Sequence, residues 1–135
     1  MPTVNIFSGS VSATTPMTQS AVATGNTLTA AQFINNVNVV PATGAGTALT
    51  APTGVALGAY FFARGGISVG DSFTFVNQTS DGFASTLSGG VGSTLIGSGA
   101  TAATAGFAAR FVVRCTAAPT DAAGTGATFS IYRAN

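Results

Sequence analysis

Few side chains in this sequence are equipped for acid–base or metal chemistry. The charged set is Arg64, Arg110, Arg114, Arg133, Asp71, Asp81 and Asp121, joined by Cys115, Tyr60 and Tyr132; there is no Lys, Glu, His or Trp. General acid–base catalysis draws on His, Glu, Asp, Lys, Tyr or Cys, and three of those types are missing. Without histidine neither a Ser–His–Asp nor a Cys–His arrangement is possible. One cysteine and three scattered aspartates do not build a tetrahedral zinc site within a chain, and calcium needs a cluster of oxygens. Asp81 and Asp121 read instead as turn residues, beside Gly82 and Ala123. The lone Cys115 excludes an internal disulfide. The expectation is a protein that is not an enzyme and uses neither metal nor cofactor.

Three further patterns carry little. Gly97-Ser98-Gly99-Ala100-Thr101-Ala102 fits the G-x-G-x-x-A form of a dinucleotide loop, with Asp121 near the spacing of its acidic residue. That loop must open a helix, whereas this segment runs into a strand-like sequence and is expected to be a β-turn. Asn77-Gln78-Thr79 is a formal glycosylation sequon, read as chance because no export signal precedes it. Four arginines without a lysine make a poor phosphate footprint, so no nucleic-acid partner is expected. Arg110 and Arg114 share a strand face and suit either a solvated surface, an ion pair with Asp71 or Asp121 across subunits, or docking on an acidic partner.

Charged residues form 5% of the chain, against roughly 25% in ordinary soluble domains. Net charge is +1. Its exterior must therefore consist largely of Ser, Thr, Asn, Gly and Ala, with little repulsion between copies, which suits a surface covered by neighbours. Hydrophobic residues make up 46% of the 135 residues and ten are Phe. Disordered chains show the opposite balance, so one domain with a packed core is expected. The apolar runs are far shorter than the ~20 residues of a membrane helix. Met1–Ser10 has neither a basic start nor an apolar stretch, which implies a product made in the cytoplasm.

The elements that must position these residues are mostly strands. Residues 1–27 carry no charge and read as an extended arm or edge strands, with Val4, Ile6 and Phe7 in a short strand. Thr29-Ala30-Ala31-Gln32 fits a capping box opening a helical turn that carries Phe33. Val37 and Val39 alternate with Asn36 and Asn38, the period of a half-buried strand. Leu49–Thr53 is extended, and Pro52 is placed at the first turn of a helix running from Gly54 to Ala63. On it Leu57 and Phe61 share one face, and Val55, Ala59 and Phe62 another. The helix is expected to pack on a sheet, although Gly54 and Gly58 each cost about 1 kcal/mol relative to Ala.

Strands are then expected over Asp71–Asn77, Val91–Ile96, Phe107–Cys115 and Ala127–Arg133. In the third, Phe107, Ala109, Phe111, Val113 and Cys115 face one way and Arg110 and Arg114 the other. In the last, Phe129 and Ile131 face inward and Tyr132 outward. Glycine-rich turns punctuate them, the pattern of a sandwich or barrel. The fold class expected is all-β: an antiparallel β-sandwich, jelly-roll or Greek-key, with one or two short helices and an extended N-terminal arm, divided into residues 1–27 and a single domain over 28–135.

The order of these segments resembles a β-rich domain of small virion proteins of tailed bacteriophages and related large DNA viruses. The matching segments are Leu28-Thr29-Ala30-Ala31-Gln32, Leu49-Thr50-Ala51-Pro52-Thr53, Val69-Gly70-Asp71-Ser72-Phe73-Thr74-Phe75, a glycine-rich Thr-Leu segment, Phe107 to Arg114, and Ser130-Ile131-Tyr132-Arg133. The likeness runs from Leu28 to Arg133 and departs from the pattern at Gly54 and Gly58. It implies a capsid decoration (cement) protein, or a related head-fibre or spike module. Such a protein forms a homo-oligomer, commonly a trimer, on the outer capsid surface and clamps major capsid subunits. No catalytic residues follow from it.

Val4, Ile6, Phe7, Tyr60 and Tyr132 are the expected oligomer or capsid contacts, with Arg110 and Arg114 facing the shell. The alternatives are a spike module binding a host glycan through Tyr60, Tyr132 and Asn77, a main coat protein of a small virus, and a surface-layer or pilus-like subunit. The absence of Trp, the few arginines and the lack of an export signal weigh against these in turn. No membrane partner is expected.

Overall fold

A computed structural model describes residues 18–21, 27–34, 36–40, 47–79, 85–97, 102–103 and 108–134. In chain order its elements are β1 (Thr18–Ala21), α1 (Ala30–Phe33), β2 (Asn36–Val40), β3 (Thr47–Thr50), α2 (Gly54–Phe62), β4 (Ser72–Thr79), β5 (Ser85–Ser88), β6 (Ser93–Ile96), β7 (Ala102–Ala103), β8 (Ala108–Ala117) and β9 (Thr128–Arg133). The described residues are mostly strands in two sheets, with two short helices. One sheet has the order β1-β2-β4-β8-β9-β6 and the other β3-β5-β7.

Alternation decides which side of each strand is buried. Along β8, Ala109, Phe111, Val113 and Cys115 are buried, while Ala108, Arg110, Arg114 and Thr116 are exposed. Antiparallel pairing sets Phe75 opposite Phe111 and Phe73 opposite Val113 on β4, and Ile131 opposite Val113 and Phe129 opposite Cys115 on β9. Leu49 and Leu87 from the smaller sheet join the same core cluster as these residues. The interior is strongly aromatic: Phe33 lies 4.6 Å from Phe75 and Phe61 lies 5.4 Å from Phe73, measured between ring centroids.

The expected antiparallel pairing is corrected: among the described strands β1–β2, β2–β4, β3–β5 and β6–β9 run parallel, and β4–β8, β8–β9 and β5–β7 are antiparallel. A period of two marks a strand but carries no direction. Parallel neighbours need a crossover of a dozen or more residues, and the chain between β2 and β4, which holds β3 and α2, supplies one.

Boundaries also move: β4 and β8 run on to Thr79 and Ala117, past the expected ends at Asn77 and Cys115, and β9 starts at Thr128. Pro52 is not in the helix: Thr53 is the N-cap, its Oγ accepting the Ala56 N–H at 3.1 Å, so Pro52 precedes the cap and is buried. The strand placed at Val91–Ile96 begins at Ser93, because Val91 and Gly92 form a turn in which Gly92 takes φ +73°. The capping box at Thr29 is present in both halves: the Gln32 N–H donates to the Thr29 Oγ, and the Thr29 N–H donates to the Gln32 side-chain oxygen at 3.0 Å. That single turn delivers Phe33, fully buried, into the aromatic core. Phe107 and the Asp81-Gly82 turn lie outside the described residues.

Helix α2 sits on the inner side of the larger sheet through Leu57 and Phe61, the latter facing Phe73 and Phe129. Its glycines permit this seat. A Cβ at Gly54 would stand 2.2 Å from the Ala127 carbonyl oxygen, and one at Gly58 2.5 Å from the Ala127 Cβ. Real side-chain atoms do not approach so closely, so the helix lies directly on the backbone of the segment leading into β9.

Candidate interaction surfaces

The outer face of the larger sheet follows from the same alternation. On β8 it presents Arg110, Val112 and Arg114, whose outermost members stand about 13 Å apart at the strand's usual rise. Register adds Tyr132 opposite Val112, and Ile96 of β6 opposite Tyr132. On the other side Thr74 pairs with Val112. A row Ile96–Tyr132–Val112–Thr74 thus crosses four strands, with an arginine on each side of it. The next row, Thr94–Ser130–Arg114–Ser72, is hydroxyl-rich. Ile96 and Tyr132 are exposed, and among the described residues on this face of β4, β8, β9 and β6 there is no carboxylate.

Of the residues expected to make contacts, Arg110, Arg114 and Tyr132 therefore share one face. Tyr60 does not join them. It sits on α2, half-buried, with the Arg64 guanidinium 3.5 Å above its ring centroid and the Arg64 Nη1 donating to the Tyr60 carbonyl at 3.1 Å. One face of the ring is thus already taken. Val4, Ile6 and Phe7 lie outside the described residues.

A second surface is the solvent side of α2. Because the helix packs inward through Leu57 and Phe61, this side points away from the arginine-bearing sheet face. Val55 and Phe62, seven residues apart and so nearly aligned along the helix, are 50% and 44% exposed. Ala56 and Ala63 are exposed beside them. Val91 is 85% exposed at the helix N-terminus, where its carbonyl accepts the Gly54 N–H at 2.8 Å. No residue of the helix is charged. The shared face of Val55, Ala59 and Phe62 was visible in the sequence; its exposure was not, because both sides of the helix are apolar.

Beside this helix runs the turn held by Asp121. Its Oδ1 accepts the Thr125 N–H at 3.0 Å and its carbonyl accepts the Gly124 N–H at 3.0 Å. Hydrogen bonds from Thr125, backbone first, hold the Asp121 carboxyl below its usual range. Gly124, at φ +83°, lies so close to the helix that a Cβ there would come 2.1 Å from the Val55 carbonyl oxygen.

Cys115 is buried on the inner side of β8, its Sγ–H donating to the Ala117 carbonyl at 3.3 Å. Burial, then the nearby Asp71 carboxylate, push its thiol above the ordinary value. Asp71 itself accepts the Ser68 N–H at 2.9 Å and closes the turn before β4. Among the described residues no three metal-ligating side chains cluster, and no helix is long and apolar enough to cross a membrane. Of the residues after Gly97 in that motif, the described Ala102 belongs to the strand β7, which pairs with β5, where a dinucleotide loop requires a helix.

No family model matches this chain, nor does any curated protein or solved structure.

Proposed function

We propose that the chain is a viral structural protein, a capsid decoration protein that oligomerises on the outer capsid and stabilises contacts between major capsid subunits. One observation carries this: a nearly uncharged exterior on which Val55, Phe62, Val69, Val91 and Ile96 stand exposed. Apolar side chains in water on a surface with little charge to keep copies apart suit a subunit covered by neighbours. The order of segments resembling small virion proteins supplies the setting.

The working unit is residues 28–135, its two sheets taken as the layers of a β-sandwich, to which Thr18–Ala21 add an edge strand beside β2. Its role is mechanical and needs no catalytic group or cofactor. Two surfaces facing opposite ways fit a subunit that meets two partners. The Arg110–Arg114 face, with Tyr132 between its arginines, docks on an acidic surface of the capsid shell. Each 100 Å² of apolar surface covered contributes about 2.5 kcal/mol, multiplied over the symmetric copies of a shell. The spike reading is weakened because Arg64 occupies one face of the Tyr60 ring that a sugar would stack on.

The test is cosedimentation of purified protein with undecorated capsids. Saturable binding at micromolar concentration or below supports the proposal. Protein that stays in the supernatant at those concentrations overturns it.

A further inference from the structure

We infer that the solvent side of α2, flanked by Arg64 and the Asp121 turn, is the surface through which one copy of this chain binds a second copy. The inference rests on the reading of the chain as an assembly subunit and names the surface that joins its copies.

The face has the right composition for a self-contact. Its centre is apolar and free of charge: Val55, Ala56 and Phe62 on the helix and Ala63 at its C-cap, with Val91 at its N-terminus. Nothing there would be left buried and ionised on contact, the main cost of burying a polar surface.

Charge complementarity selects the occupant. Arg64 follows the C-terminus of α2 and is held over Tyr60 on one flank. Asp121 lies beyond the other flank, in the turn whose Gly124 touches the helix at Val55, Gly58 and Ala59. The patch is therefore neutral as a whole, with one positive and one negative group on opposite sides of an apolar centre. An acidic or basic partner would match one end and be repelled by the other. A second copy matches both, because a two-fold axis in the contact plane, perpendicular to the Asp121–Arg64 direction, sets each Arg64 against the other copy's Asp121. Both groups are already oriented, Arg64 by its aromatic ring and Asp121 by its turn, so little side-chain freedom is lost in pairing them.

Analytical ultracentrifugation of the full chain across a concentration series tests this, using wild type, Phe62→Asp, Arg64→Gln, Asp121→Asn and the Arg64→Gln/Asp121→Asn double variant. Phe62 is exposed, and Asn at 121 keeps the oxygen that accepts the Thr125 N–H, so circular dichroism should report an unchanged fold. The expected result is an oligomer for wild type and at least a ten-fold weaker dissociation constant for Phe62→Asp. Each single charge variant should weaken association by several-fold at low salt, and the double variant by no more than either alone. An oligomer indifferent to Phe62→Asp overturns the assignment of this face while leaving the assembly reading intact. A wild-type monomer that still sediments with capsids overturns the self-contact alone; a monomer that ignores capsids overturns both.

Discussion

At the scale of single residues, close approach outranks propensity. Read alone, Gly54 and Gly58 weaken a helix by about 1 kcal/mol each. In the structure they let α2 rest on the Ala127 and Gly124 backbone, where a Cβ would meet atoms at 2.2–2.9 Å. Gly58→Ala should therefore destabilise the protein by about 1–3 kcal/mol, the usual cost of overpacking, in urea unfolding, although a freely exposed helix would gain from it. Ser93 offers the opposite case. Its Oγ is buried and has no hydrogen-bond partner among the described residues, so Ser93→Ala should raise stability by about 1 kcal/mol. Cys115 supplies a pH signature. Its thiol is raised in the folded chain, so the native state keeps a proton that the unfolded chain releases. Stability is therefore intact below an unfolded value near 9.0 and falls as pH rises beyond it. The urea midpoint should drop above that pH, and Cys115→Ala should flatten the drop. At the acid end the sign reverses: Asp121, lowered in the fold, loses its contribution as pH falls through the carboxylate range.

At the scale of elements, the sequence displayed whatever depends on local period and local hydrogen bonding. The inward set Phe111, Val113 and Cys115 of β8, the pair Phe73 and Phe75 of β4, and the box at Thr29 could all be read directly, because each depends on neighbours two to four positions away. Strand direction could not, since β2 and β4 meet only after an intervening strand and helix. Nor could the short strands β5 and β7, where Leu87 stands alone among Ser, Thr and Ala and leaves no period to follow. On the candidate surfaces, Arg110, Arg114 and Tyr132 were identifiable as outward residues, but their gathering into one face needs the β8–β9 register. The Val55–Phe62 side was hidden for the opposite reason: an all-apolar helix does not say which side the core takes. The Thr29 cap is the place to test how much one local device contributes. Thr29→Ala should cost about 1 kcal/mol, read in the same unfolding assay, since α1 is a single turn whose purpose is to hold Phe33 against Phe73 and Phe75. Phe33→Ala should cost several-fold more, about 3–5 kcal/mol.

At the scale of the whole molecule, two faces of different character point in opposite directions: a cationic, hydroxyl-rich sheet and an apolar helix. If the sheet face docks on an acidic shell, Arg114→Glu should weaken capsid binding by about ten-fold, and added salt should weaken the wild type more than the variant. Cosedimentation at two salt concentrations reads both. The sheet order also constrains how the molecule comes into being. β9 is made after β6 and β8 yet lies between them, contributing the buried Phe129 and Ile131. Until residues 128–133 leave the ribosome, β6 lacks its sheet neighbour and β8 has one side open, and long-range pairing of this kind is slow. Nascent chains stalled before Thr128 should be protease-sensitive and adhesive through those bare edges, so the strand that joins β6 to the rest of this sheet is made after both of the strands it bridges.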